Sequence, residues 1–92
     1  MNNTRVHLYI SGKVQGVYFR ENTYKKARLL KLSGWVKNLS DGRVEVVIEG
    51  TQKYVDEMIS WCRIGRAPAT VTEVEEIWEE PNGEFYSFDI IY

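Results

Sequence analysis

The sequence predicts an α+β sandwich in which two helices cover one face of an antiparallel sheet. The expected order is β-α-β-β-α-β with a short extra strand at the carboxyl end. Three observations carry this prediction. Short segments such as Val6, Leu8, Ile10 and Val44, Val46, Ile48 alternate apolar with other residues, the period of a half-buried strand. Two other segments carry apolar residues at helical spacing, Thr23, Ala27, Leu30 and Val55, Met58, Ile59, Cys62. Each helix therefore has a single apolar face, and both bury it most simply on the same side of one sheet.

Taken in order, Val6, Leu8 and Ile10 alternate with Arg5, His7 and Tyr9 to give the first strand. A glycine-containing loop, "GKVQGVYFR", leads into the first helix, which is expected to end near Ser33-Gly34 with glycine as its left-handed cap. "GWVKNLSDGRVEVVIEG" reads as strand, turn, strand, with Asp41-Gly42 as the hairpin signal. Thr51 is placed to cap the second helix, and "GRAPAT" breaks it. The remainder, "VTEVEEIWEEPNGEFYSFDIIY", gives a strand, a Pro-Asn-Gly turn and a short last strand. Right-handed crossovers set the first and second strands parallel with the third between them, a ferredoxin-like architecture. That architecture hosts many unrelated activities, so function has to be read from a site.

At 92 residues one domain is expected across 1–92. Hydrophobic residues at 43% and charged residues at 27% are the balance of an ordinary globule, and a net charge of −1 gives no sign of a nucleic-acid partner. Cys62 is the only cysteine, which excludes an internal disulfide and a cysteine-cluster metal site. No apolar run approaches the roughly 18 to 20 residues of a membrane span, so no membrane partner is expected. The opening "MNNTRVHLYI" lacks the order of a signal peptide, and a cytoplasmic location is the default expectation.

The chemistry concentrates after the first strand. Gly12 and Gly16 allow the chain to turn with consecutive backbone N–H groups pointing inward, and the helix start adds a partial positive charge. Arg20 sits one helical step before Thr23, so its fork is expected to lean over this concavity and pair with phosphate or carboxylate oxygens. The same spacing also fits a plain glycine loop with a surface arginine in an ion pair. On the second strand Asn38 shares a face with Val36, near the end that lies beside the loop. Its amide can accept from water and donate to an anion. It equally suits preparation of the Asp41-Gly42 turn.

The segments "GKVQGVYFR" at 12–20 and "GWVKNLSDGRVEVVIEG" at 34–50 closely resemble the two signature segments of the acylphosphatase family, and the likeness continues through "GRAPATVTEVEEIWEEPNGEFYSFDI". The resemblance implies a phosphate cradle from Gln15, Gly16, Val17, Tyr18, Phe19 and Arg20, with Arg20 holding the phosphoryl group and Asn38 positioning the attacking water. It also implies hydrolysis of a small-molecule acyl phosphate without metal or organic cofactor. A free-standing, monomeric enzyme is expected. Nothing in either segment places a His, Asp or Glu as general acid or base; Glu21 and Asp41 are the nearest carboxylates and are expected to be solvated.

Other residues read as structural. His7 alternates away from the core and has no second ligand nearby, Cys62 lies on the apolar face of its helix, and "EVEEIWEE" suits a charged edge strand. An RNA-binding domain would want aromatics on the third strand, and "RVEVVIEG" has none. A metallochaperone would want a cysteine pair in the first loop. A non-catalytic phosphate- or carboxylate-binding module remains the alternative; it would use the cradle without needing Asn38. An acylphosphatase-like domain of a larger carbamoyl-transfer enzyme is a further alternative.

Overall fold

The computed structural model describes residues 3–92. Its elements are β1 (Asn3–Lys13), α1 (Phe19–Leu29), β2 (Ser33–Asn38), β3 (Val44–Thr51), α2 (Gln52–Ile64), β4 (Thr70–Glu79) and β5 (Phe88–Ile91). The sheet order is β4-β1-β3-β2-β5. β3 runs antiparallel to both β1 and β2, which are therefore parallel to one another and separated by it, as the sequence predicts. The sheet is not wholly antiparallel: β5 joins the outer edge of β2 in parallel, pairing Gly34 with Phe88 and Val36 with Ile90. The difference arises because the chain crosses from the β4 edge to the opposite edge before forming its last strand.

Alternation decides the two faces. Val6, Leu8, Ile10, Val36, Val44, Val46 and Ile48 are fully buried and meet Ala27 of α1 and Val55, Met58 and Cys62 of α2 in one core. Thr23 joins this core with its hydroxyl unpartnered. The open face is held by charge. Arg5 Nε donates to Glu79 Oε1 at 2.9 Å, and its Nη1 donates to Asn82 and Glu84. The buried Glu49 carboxylate accepts the backbone N–H groups of Asn82 and Gly83. Residues 80–87 are thereby strapped to the sheet before β5 begins. His7 is half-buried here, its two ring nitrogens against Glu45 and Glu79 and its ring stacked on Tyr9. β4 is an edge strand, and its acidic residues are partly answered by Arg5 and by Arg63, which pairs with Glu76.

Three local expectations change. α1 ends earlier than Ser33-Gly34: Lys31, not glycine, takes the left-handed conformation at φ 56°, and Ser33-Gly34 already belongs to β2. The N–H of Leu32 returning to Ala27 O closes the helix without help from glycine. Thr51 stands at the N-cap of α2 without a side-chain capping bond. Gly12 does not turn the chain. It lies within β1 at the bulge beside Ser11, where a Cβ would stand 2.1 Å from Thr70 O. Close approach of β4 explains the glycine, and the anion loop begins after it.

Candidate active site

Residues 14–18 connect β1 to α1 and are anchored by their side chains. Val14, Val17 and Phe19 are buried in the core, and this apolar anchoring leaves the loop's polar backbone at the surface. Gly16 and Tyr18 both take left-handed conformations, at φ 74° and φ 64°. Alternating left- and right-handed residues turn successive N–H groups toward one concavity, an arrangement suited to anions. Among the described residues, no loop, turn or side-chain hydrogen bond uses a backbone N–H of residues 15–20. Tyr18 is the N-cap of α1, so the same N–H groups carry the positive end of the helix dipole.

The resulting cleft has a volume of about 210 Å³ and is lined by Val14, Gly16, Tyr18, Phe19, Arg20, Glu21 and Asn38. It brings together the two residues singled out for chemistry, Arg20 from α1 and Asn38 from the end of β2. Arg20 is half-buried, and among the described residues no carboxylate lies within ion-pair distance of it. Its guanidinium instead rests over the ring of Tyr92, 4.9 Å from the centroid. That contact restrains the fork without neutralising it.

Asn38 shares the helix-facing side of β2 with Val36. Its Oδ1 is buried and has no hydrogen-bond partner. A buried carbonyl oxygen left unpaired costs about 1–3 kcal/mol, and Asn38 is among the residues lining the cleft. The turn that follows does not use the Asn38 side chain. Leu39 N–H donates to Arg43 O, Gly42 N–H to Leu39 O, and the Asp41 carboxylate takes Arg43 N–H at 3.1 Å and Arg43 Nε at 2.9 Å. Asp41 is exposed but paired, and these hydrogen bonds, the backbone one first, hold its carboxyl below the ordinary range.

Gln15 and Val17 are not among the cleft's lining residues. Val17 anchors the loop in the core. Gln15 Nε2 donates to Leu39 O at 2.7 Å and to Arg43 O at 2.9 Å, tying the loop to the β2–β3 hairpin that carries Asn38. Glu21, exposed, stands at the rim rather than apart from it, while Val14 and the Tyr92 contact had no signal in the sequence. Among the described residues no three His, Cys, Asp or Glu side chains cluster as a metal site, and no helix is long and apolar enough to cross a membrane.

Comparison with known proteins finds relatives that cover nearly the whole chain. A family model described as acylphosphatase matches residues 6–90. The acylphosphatase of Chloroflexus aurantiacus is 51% identical over 92 residues, covering 100% of both chains. The crystal structure of acylphosphatase from Bacillus subtilis is similar with a TM-score of 0.93 and 31% identity, covering 97% of this chain and 99% of that one. An acylphosphatase structure from Coxiella burnetii gives a TM-score of 0.87 at 45% identity, covering 98% and 94%. With a full-length relative at this identity and the same fold throughout, the chain belongs to the acylphosphatase family.

Proposed function

We propose that this protein hydrolyses acyl phosphates by holding the phosphoryl group in the 15–20 loop and directing one water at it from Asn38. The observation that carries the reading is that one cleft, lined by Gly16, Tyr18, Phe19, Arg20 and Asn38, brings together backbone N–H groups, a guanidinium and an amide oxygen that have no other partner among the described residues. The N–H groups of residues 15–20 and the two-pronged Arg20 fork meet charge on the phosphoryl oxygens, which is spread over them in the transition state. Asn38 Oδ1 accepts a hydrogen bond from the attacking water and fixes its approach to phosphorus.

The water oxygen forms a bond to phosphorus as the bond from phosphorus to the acyl oxygen breaks. The carboxylate leaves with the electron pair, and the water's proton passes to a phosphate oxygen of the substrate. No side chain has to protonate the leaving group, because a carboxylic acid has a pKa of about 4. This reading requires neither metal nor organic cofactor.

The test is hydrolysis of benzoyl phosphate by purified protein in the presence of a strong chelator. Rapid release of benzoate and phosphate is expected, with inorganic phosphate as a competitive inhibitor. Phosphate esters of graded leaving-group pKa should fall steeply in kcat/KM, alkyl esters being the poorest, since positioned acid catalysis is worth about 10²- to 10⁴-fold and none is provided. Efficient cleavage of an alkyl phosphate, or activity abolished by the chelator and restored by Mg²⁺, would overturn the mechanism.

A further inference from the structure

The charge of α1 is unlike that of the whole molecule. Between Phe19 and Leu29 it carries Arg20, Lys25, Lys26 and Arg28 against Glu21 alone, in a chain of net charge −1. Arg20 serves the cleft already described. At about 100° per residue, Asn22 projects from nearly the opposite side of the helix. Asn22, Lys25, Lys26 and Leu29 stand at i, i+3, i+4 and i+7, and with Trp61 and Arg66 they line a separate cleft of about 190 Å³.

The charges in this second cleft can be followed pair by pair. Lys26 Nζ lies 3.4 Å from Glu57 and is compensated. Among the described residues neither Lys25 nor Arg66 has a carboxylate within ion-pair distance. The apolar part is the half-buried indole of Trp61 and the Leu29 side chain, 74% exposed. Asn22, half-buried, adds an amide donor.

We propose that this cleft is a second anion site, for a small organic phosphate with a flat apolar body. Two uncompensated cations match a phosphate dianion. Arg66 would take two oxygens in parallel and Lys25 the third, while the flat body covers Trp61 and Leu29. A carboxylate would leave one cation unanswered, and inorganic phosphate would leave the indole uncovered. The two anion sites share a wall: the Trp61 ring packs against Phe19 at 5.8 Å between centroids, and Phe19 also lines the first cleft.

The test uses phenylphosphonate, which is not hydrolysed, titrated into ¹⁵N-labelled protein. The Trp61 indole resonance, assigned by its loss in Trp61→Phe, should shift saturably, together with the Asn22 and Lys25 amides. The same shifts should persist in Arg20→Ala. The double variant Lys25→Gln/Arg66→Gln should weaken binding at least tenfold while leaving kcat for benzoyl phosphate unchanged. Shifts that disappear in Arg20→Ala would place the probe in the first cleft and overturn the proposal. So would binding indifferent to the double variant, absence of saturation, or equal affinity for benzoate. The readout is binding, so it remains decisive even if acyl phosphate hydrolysis itself were disproved.

Discussion

Arg20 and Asn38 make different demands on the same anion, and single substitutions should separate them. Arg20→Lys keeps the charge but replaces a planar fork with a point charge on a flexible stem. It should cost about 10²-fold or more in kcat/KM, the scale of losing a preorganised donor, and weaken inhibition by inorganic phosphate. Near wild-type kinetics would show that Arg20 is not the anchor. Asn38→Ala leaves the loop's N–H groups and Arg20 in place. Phosphate should bind with little change while kcat falls about 10²-fold, provided the circular dichroism spectrum is unaltered. A parallel loss of binding and turnover would instead make Asn38 a structural residue. Helix and strand periodicity give the direction of both side chains, but spacing alone leaves their roles open, and it is the resemblance of their two segments that singles them out. Tyr92 had no such signal, because its contact with Arg20 depends on where β5 is placed across the sheet.

Elements are legible where one periodicity governs them and illegible where two distant segments of the chain meet. The apolar faces of β1 and α2 follow the sequence because each buries a regular stripe, whereas β3, between β1 and β2, is buried on both faces, Glu45, Val47 and Glu49 included. The sequence places Gly12 in the loop, because the reason for a glycine there is a carbonyl on β4, nearly 60 residues away in the chain. The parallel placement of β5 was missed for the same kind of reason: it is decided by Glu49 and Arg5 holding residues 80–87, not by the strand's own pattern. Gln15 joins two elements in the active cleft through its paired bonds to Leu39 O and Arg43 O. Gln15→Leu keeps size and loses both donors. It should lower kcat by about tenfold through misalignment of Asn38 relative to the loop, with a smaller change in phosphate affinity. If phosphate affinity falls as far as kcat, the tie organises the cradle itself and not its distance from the strand.

For the molecule as a whole, the strap and the hairpin turn make stability sensitive to acid. The hydrogen bond from Arg5, with a further one from Asn82, holds the Glu84 carboxyl below its ordinary range, and Arg43 does the same for Asp41. A carboxyl depressed in the folded state contributes stability that is fully present above its unfolded pKa and is lost as pH falls through the folded value. Tm should therefore hold from neutral pH to about 4.5 and decline below it, with residues 80–87 exchanging their amide protons first. Glu84→Gln should start at a lower Tm and show a shallower acid slope. A Tm that rises as the pH drops below 4 would contradict this assignment.

Cys62, at the centre of the α2 face, offers a way to watch the whole core from within. It is fully buried among apolar side chains, and burial pushes its thiol up to about 12, so in the native molecule it is neither reachable nor appreciably ionised. Its modification by a disulfide reagent then counts openings of the core rather than the chemistry of sulfur. In native buffer labelling should be slower than in denaturant by about 10³-fold or more, a ratio corresponding to a stability of ~4 kcal/mol or more. Saturating phosphate should slow it further, because an anion held only by the folded cradle makes each opening rarer. One silent thiol thus converts ligand occupancy at the surface into a rate measured in the interior.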